Sequence, residues 1–236
     1  MFNNLHDPRQ NKILQALPSV DYERIFSSLI LTPMPLGKVL YEQGEKLCYV
    51  YFPTNCIISL LYSLENGASV EISMIGNEGA VGVALLMGDK TMPNRAVVQS
   101  AGYAYRIQES LLIEEFDRHG VLLHKLLRYI QTLIYQSTQM AICNRFHTID
   151  QKLCRWLLLN LDRLSSNELK MTQELIANML GVRRESVTEA MGKLQKAGII
   201  QHSRGHIRIL NREGLEVRVC ECYRALKKES DRLAAA

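Results

Sequence analysis

The stretch from Gln173 to Gly192, QELIANMLGVRRESVTEAMG, decides how this chain is read. Two helices crossing at a tight turn need a small residue where they approach, a glycine where the chain reverses, and apolar residues on the shared face. Ala177 supplies the first and Gly181 the second. Ile176, Leu180, Val182, Val187 and Ala190 supply the third. Thr172 is placed to cap the first helix, because its hydroxyl can accept from an opening N–H group that has no partner within the helix. The expectation is a helix-turn-helix. A structural helical hairpin would explain the interface but not the outer face of the second helix.

On that second helix Val187, Ala190, Met191 and Leu194 form the inner side, which leaves Arg184, Glu185, Thr188 and Glu189 together on the opposite one. Arg184 can bond the O6 and N7 of a guanine at once, and Glu185 can accept from a cytosine N4. Glu185 and Glu189 are like charges one turn apart, an arrangement that costs roughly a few tenths of a kcal/mol. Glu189 is also one turn from Lys193. Arg183 and the free N–H groups at helix starts suit phosphates. Beyond Gly198, the runs Ile199–His202 and His206–Leu210 read as two short strands around Ser203-Arg204-Gly205, a wing with Arg204 at its tip. The candidate DNA contacts are therefore Thr172, Gln173, Arg183, Arg184, Glu185, Ser186, Thr188, Glu189 and Arg204, with double-stranded DNA as the partner.

The charge agrees with this placement. Residues 1–145 hold 12 basic and 13 acidic side chains, and residues 146–236 hold 16 and 11, so the basic excess lies in the C-terminal part.

Upstream, Leu14 to Ile30 reads as short helical turns. Strand-like runs follow at Lys38–Tyr41, Leu47–Phe52, Cys56–Ser63, Ser69–Ile75 and Ala96–Ile107, separated by turn residues. Asn66-Gly67 between two of these runs signals a hairpin. The segment is expected to be an antiparallel β-roll or jelly roll. A long helix should run from about Ser110 to Asn144, with a possible break near Gly120. Leu123, Leu126, Ile130, Leu133, Ser137, Met140 and Asn144 alternate spacings of three and four along it, the pattern of a parallel dimer seam. Thr148 and Gln151 then form a capping box that opens a new helix. The organisation expected is α+β: a β-roll sensory domain over 1–109, a dimerisation helix over 110–146, and a winged helix-turn-helix over 147–236.

Other chemistries find little support. The six cysteines are scattered and read as buried, reduced thiols. Cys220-Glu221-Cys222 reads as structural or incidental, with no second Cys/His pair recognised at ligand spacing. No metal and no cofactor is expected. G-x-S-x-G, Walker, H-E-x-x-H and dinucleotide-binding patterns are absent, which argues against an enzyme. No apolar run spans a bilayer, and Met1–Gln10 lacks a signal-peptide core, so a cytoplasmic protein is expected. Ala234–Ala236 reads as a cloning scar.

Residues 171–200, MTQELIANMLGVRRESVTEAMGKLQKAGII, resemble the Crp/Fnr family of bacterial regulators, most specifically in Gly181-Val182, Arg184-Glu185-Ser186 and Val187. The likeness extends along nearly the whole chain. It implies a homodimer on a roughly palindromic site, with Arg184 and Glu185 at the family's base-reading positions and RNA polymerase as a further candidate partner. The next reading position, usually arginine, falls here on Glu189. In the sensory half the family's phosphate- and ribose-binding loop aligns with Gly82, Val83, Asn94 and Arg95. Arg95 can meet a phosphate, but Val83 stands where the ribose-binding glutamate is expected and cannot bond a hydroxyl. The resemblance therefore implies a regulator that does not answer to cyclic AMP, with an effector that is unknown. His119 and His124 read as surface histidines, and no haem ligand is apparent. The alternative is a regulatory binding module of cyclic-nucleotide type that does not bind DNA.

Overall fold

The computed structural model describes residues 6–88 and 90–235. Met1–Leu5 of the polar N-terminal stretch and Ala236 of the terminal alanine run lie outside them. The chain divides into two compact units, one of residues up to Tyr62 with Met74–Leu133, the other of Ser63–Ser73 with residues from Ile134 onward.

The first unit opens with two short helices, α1 (Lys12–Gln15) and α2 (Ser19–Phe26). The strands that follow along the chain are β1 (Ile30–Met34), β2 (Val39–Tyr41), β3 (Tyr49–Pro53), β4 (Ile57–Ser63), β5 (Ser69–Ile75), β6 (Arg95–Ser100) and β7 (Gly102–Gln108). Of these, Ser63 of β4 and residues 69–73 of β5 are part of the second unit. They form two sheets, ordered β1-β7-β3 and β2-β6-β4-β5. The expected antiparallel β-roll is present, with two differences. The run Ala96–Ile107 is two strands in two sheets, because the chain crosses between them at Ala101, where Asn55 Oδ1 accepts from Tyr103 N at 2.7 Å. β1 was not foreseen, since Pro33 interrupts its strand signal. A proline that donates nothing to the ladder is tolerated because β1 is an edge strand. Val50, Phe52, Ile57, Ile58, Ala96, Val98, Ala104 and Ile107 are buried and fill this unit's interior. Asn66-Gly67 turns β4 into β5, with Asn66 Oδ1 accepting from Ala68 N at 3.0 Å.

The expected long helix is two: α3 (Glu109–Phe116) and α4 (Val121–Phe146). The break falls just before Gly120, where His119 takes a left-handed φ of 55°. His119 and His124 are both exposed.

In the second unit the Thr148–Gln151 capping box closes as expected and opens α5 (Ile149–Leu161). Leu153, Cys154, Trp156, Leu157 and Leu158 line the buried side of this helix. Next come β8 (Glu168–Lys170), α6 (Gln173–Leu180), α7 (Arg184–Lys196), β9 (Ile200–Ser203), β10 (His206–Ile209), α8 (Arg212–Arg218) and α9 (Glu221–Ala235). The wing is a three-stranded sheet ordered β8-β10-β9. Its third strand, β8, is too short to show a period of two in the sequence.

Among the described residues no helix is long and apolar enough to cross a membrane.

Candidate nucleic-acid interface

The helix-turn-helix is built by local interactions. Thr172 Oγ1 accepts from Leu175 N at 3.2 Å and starts α6. The helix ends at Gly181, whose φ is +63°. Val182 N donates to Ala177 O at 3.0 Å and Gly181 N to Asn178 O at 3.3 Å, the paired bonds of a Schellman ending. An L side chain in that left-handed backbone would cost about 1 kcal/mol, so glycine belongs there. Ile176, Ala177, Leu180, Val187 and Ala190 are all buried, and Val182 is half-buried.

α7 carries the outward face. Its start at Arg183 has no side-chain cap, which leaves the opening N–H groups available to an anion. Arg183, Arg184, Glu185, Thr188 and Glu189 are exposed, and Ser186 is half-buried. Arg184 Nε stands 4.0 Å from Glu174 Oε2, with both side chains mostly in solvent, so this pair restrains the arginine little. Thr188 Oγ1 donates to Gln173 Oε1 at 2.7 Å. Those two candidate contacts therefore position one another across the helix pair.

Glu189 is engaged differently. Lys193 Nζ lies 3.0 Å from its Oε1 and 3.1 Å from Asp150 Oδ2 on α5. Glu189, followed by Asp150, holds the Lys193 ammonium above its ordinary pKa.

In the wing, β9 and β10 pair with Ser203 opposite His206. The two residues between them, Arg204 and Gly205, have φ of 46° and 81°. This is a two-residue hairpin turn of the type that matches strand twist. Arg204 is exposed at its tip in a backbone region that non-glycine residues rarely occupy. Met171 N donates to Gly205 O at 2.7 Å, tying the wing to the start of α6. Arg183 and Arg204 hold no ion pair among the described residues.

The four effector-loop candidates lie in the first unit. Gly82, with φ +97°, precedes a short 3-10 helix at Val83–Met87. Val83 is buried. Asn94 Oδ1 accepts from Tyr41 OH at 3.0 Å, and Arg95 Nε lies 3.0 Å from Glu42 Oε2. Arg95 thus already has an anionic partner.

The seven seam candidates on α4 are not alike. Leu126 and Met140 are buried within the protomer, Leu123, Ile130 and Leu133 are half-buried, and Ser137 and Asn144 are exposed. Leu126 and Met140 belong to the chain's own interior and cannot face a partner. The apolar side chains of α4 that do stand in solvent are Leu127, Ile134, Ile142 and Phe146; Leu127 and Ile134, the latter 63% exposed, each lie one residue beyond a seam candidate.

Winged helix-turn-helix geometry of this kind, preceded by a β-roll and a long helix, defines a class of DNA-binding regulator. Residues 151–218 match the model of the Crp-like helix-turn-helix domain. A structure described as a transcriptional regulator of the Crp/Fnr family from Eubacterium rectale superposes with a TM-score of 0.68 at 17% identity, covering 91% of this chain and 98% of that one. FixK2 from Bradyrhizobium japonicum gives 0.67 at 18% identity, covering 81% and 98%. CLP from Xanthomonas campestris, described as a c-di-GMP responsive global regulator, gives 0.66 at 14% identity, covering 81% and 99%. No curated protein sequence matches the chain significantly. The chain thus carries a Crp-like helix-turn-helix domain over residues 151–218 and shares the fold of the Crp/Fnr regulators it superposes on.

Proposed function

We propose that this protein is a sequence-specific transcription regulator that binds a palindromic DNA site as a homodimer and does not require cyclic AMP. The observation that carries the reading is the exposed row Arg184, Glu185, Thr188 and Glu189 on α7, beside Arg183 and the wing-tip Arg204, within a Crp-like domain. Arg184 and Glu185 read base edges in the major groove, and Arg183 and Arg204 meet phosphates on either side. Gln173 and Thr188 hold the register of the two helices. RNA polymerase is the further partner by which such a regulator acts.

The second copy docks on α4 through a stripe that includes the exposed Leu127, Ile134, Ser137 and Asn144 and the half-buried Ile130. A parallel pair of this kind sets the two recognition helices about 34 Å apart, one turn of DNA.

Val83 offers no group for a ribose hydroxyl, so cyclic AMP loses one of its expected anchors, while Arg95, only loosely paired with Glu42, stays able to meet a phosphate. Selection of binding sites from a random DNA pool, with and without cyclic AMP, tests the whole reading. A palindrome enriched equally in both conditions is the expected result. Enrichment only with the nucleotide would overturn the effector reading, and a non-palindromic site would overturn the dimer.

A further inference from the structure

We propose that the second unit contains a mononuclear zinc site formed by Cys143, His147, Cys220 and Cys222. The four donor atoms lie within 4.8 Å of one another. Cys143 and His147 stand one turn apart at the end of α4, where His147 N still donates to Cys143 O at 3.1 Å, so both side chains share a face. Cys220 immediately precedes α9, and Cys222 lies in its first turn. Two local pairs, 77 residues apart at their cysteines, thus meet at one point.

The spacings are those of a tetrahedral ion. With Zn–S of about 2.3 Å and Zn–N of about 2.0 Å, ligand atoms stand roughly 3.5–3.8 Å apart. Cys143 Sγ to Cys220 Sγ is 3.6 Å, and Cys222 Sγ to His147 Nδ1 is 3.6 Å. Three sulfurs and one imidazole nitrogen are a donor set zinc favours over harder ions.

Two independent features support occupancy by a metal. His147 turns its other nitrogen, Nε2, to Glu221 Oε1 at 3.2 Å. That carboxylate fixes the tautomer in which Nδ1 is the free ligand atom, the usual arrangement behind a metal-bound histidine. The second feature is Arg155. It is 1% exposed, and its Nε and Nη2 have no hydrogen-bond partner among the described residues. Its Nη1 meets Met140 Sδ, one turn before Cys143 on α4. A buried guanidinium among neutral thiols is costly. Zinc resolves this: Zn²⁺ with three thiolates and a neutral imidazole carries a net charge of −1, and binding releases the three thiol protons to solvent. The N-terminus of α9 adds further stabilisation to the thiolates. The ion would staple the last turn of α4 to the corner between α8 and α9.

The test uses the untagged full-length chain purified without oxygen. Elemental analysis should find about one zinc per chain. Cobalt substitution should give tetrahedral ligand-field bands and a sulfur-to-metal charge-transfer band with the intensity of three thiolates. Cys222→Ser and His147→Gln should lose the zinc, and Cys48→Ser, away from the cluster, should keep it. Glu221→Gln, on an exposed side chain that touches no metal, should fold normally and weaken zinc about 10-fold. If the cysteine variants fail to fold, the wild-type cobalt spectrum and Glu221→Gln decide the matter. A folded wild-type chain without zinc or a charge-transfer band would overturn the proposal. So would zinc retained equally by Cys222→Ser, or a metal-free Cys143–Cys220 disulfide.

Discussion

Lys193 grips Glu189 at 3.0 Å on the outward face of α7, and the same ammonium reaches Asp150 on α5. Glu189 is therefore held by the protein's own helices. Glu189→Gln should cost less than about 0.5 kcal/mol of stability, because the pair is solvent-exposed. It should tighten binding to random-sequence DNA several-fold, since a like charge facing the phosphates is removed. Fluorescence anisotropy on a scrambled duplex, alongside thermal unfolding, measures both. Unchanged DNA affinity would mean that Glu189 does not face the duplex.

Arg184 and Arg204 are both exposed, yet their substitutions should differ in kind. Arg184→Ala should cost about 1–3 kcal/mol on the selected site and little on random DNA. Arg204→Ala should weaken both roughly equally and lower the salt slope by about 1. Binding titrations at several salt concentrations separate the two. A uniform loss with Arg184→Ala would remove it from base readout.

The helix-turn-helix was legible because its signals are local: the Gly181 ending, the Thr172 cap and the apolar face of α6 and α7 all lie within about twenty residues. The packing of α4 was legible only in part. Leu126 stands beside Leu127, and Leu133 beside Ile134, so both phases of the three-four pattern are apolar. Only the fold shows that Leu126 is taken up by the chain's own core. The expectation that Cys220-Glu221-Cys222 has no second Cys/His pair at ligand spacing is wrong, since Cys143 and His147 are such a pair; what needed the fold is that the two pairs meet across 77 residues. β1 and β8 escaped for local reasons: one is interrupted by Pro33 and the other is only three residues long.

That ambiguity of phase gives a test of the dimer. Ile134→Asp, on a residue 63% exposed in the protomer, should dissociate the dimer at micromolar concentration while leaving the monomer folded. Leu126→Ala should instead cost about 2–5 kcal/mol of stability, as a large-to-small change at a fully buried site. Sedimentation and circular dichroism distinguish the two. A dimer that survives Ile134→Asp would place the partner on a different surface.

Asn11 gives the sharpest test of the first unit. It is fully buried, its Oδ1 accepts from Ile13 N and Leu14 N, and its Nδ2 donates to Pro53 O and Gly79 O at 2.9 and 2.8 Å. One side chain therefore caps α1 and clasps two other segments. Asn11→Ala should lose at least about 2 kcal/mol, since it removes a cap and leaves buried carbonyls unpaired. Aspartate is as good a cap as asparagine, so a pure capping role predicts that Asn11→Asp is benign. The geometry predicts the reverse. A carboxylate has no hydrogens for Pro53 O and Gly79 O and would set its charge against both oxygens, so Asn11→Asp should be at least as damaging as alanine near neutral pH. It should recover in part under acid, where the protonated group regains one donor. Urea unfolding at two pH values measures this, and a benign aspartate would reduce Asn11 to a cap.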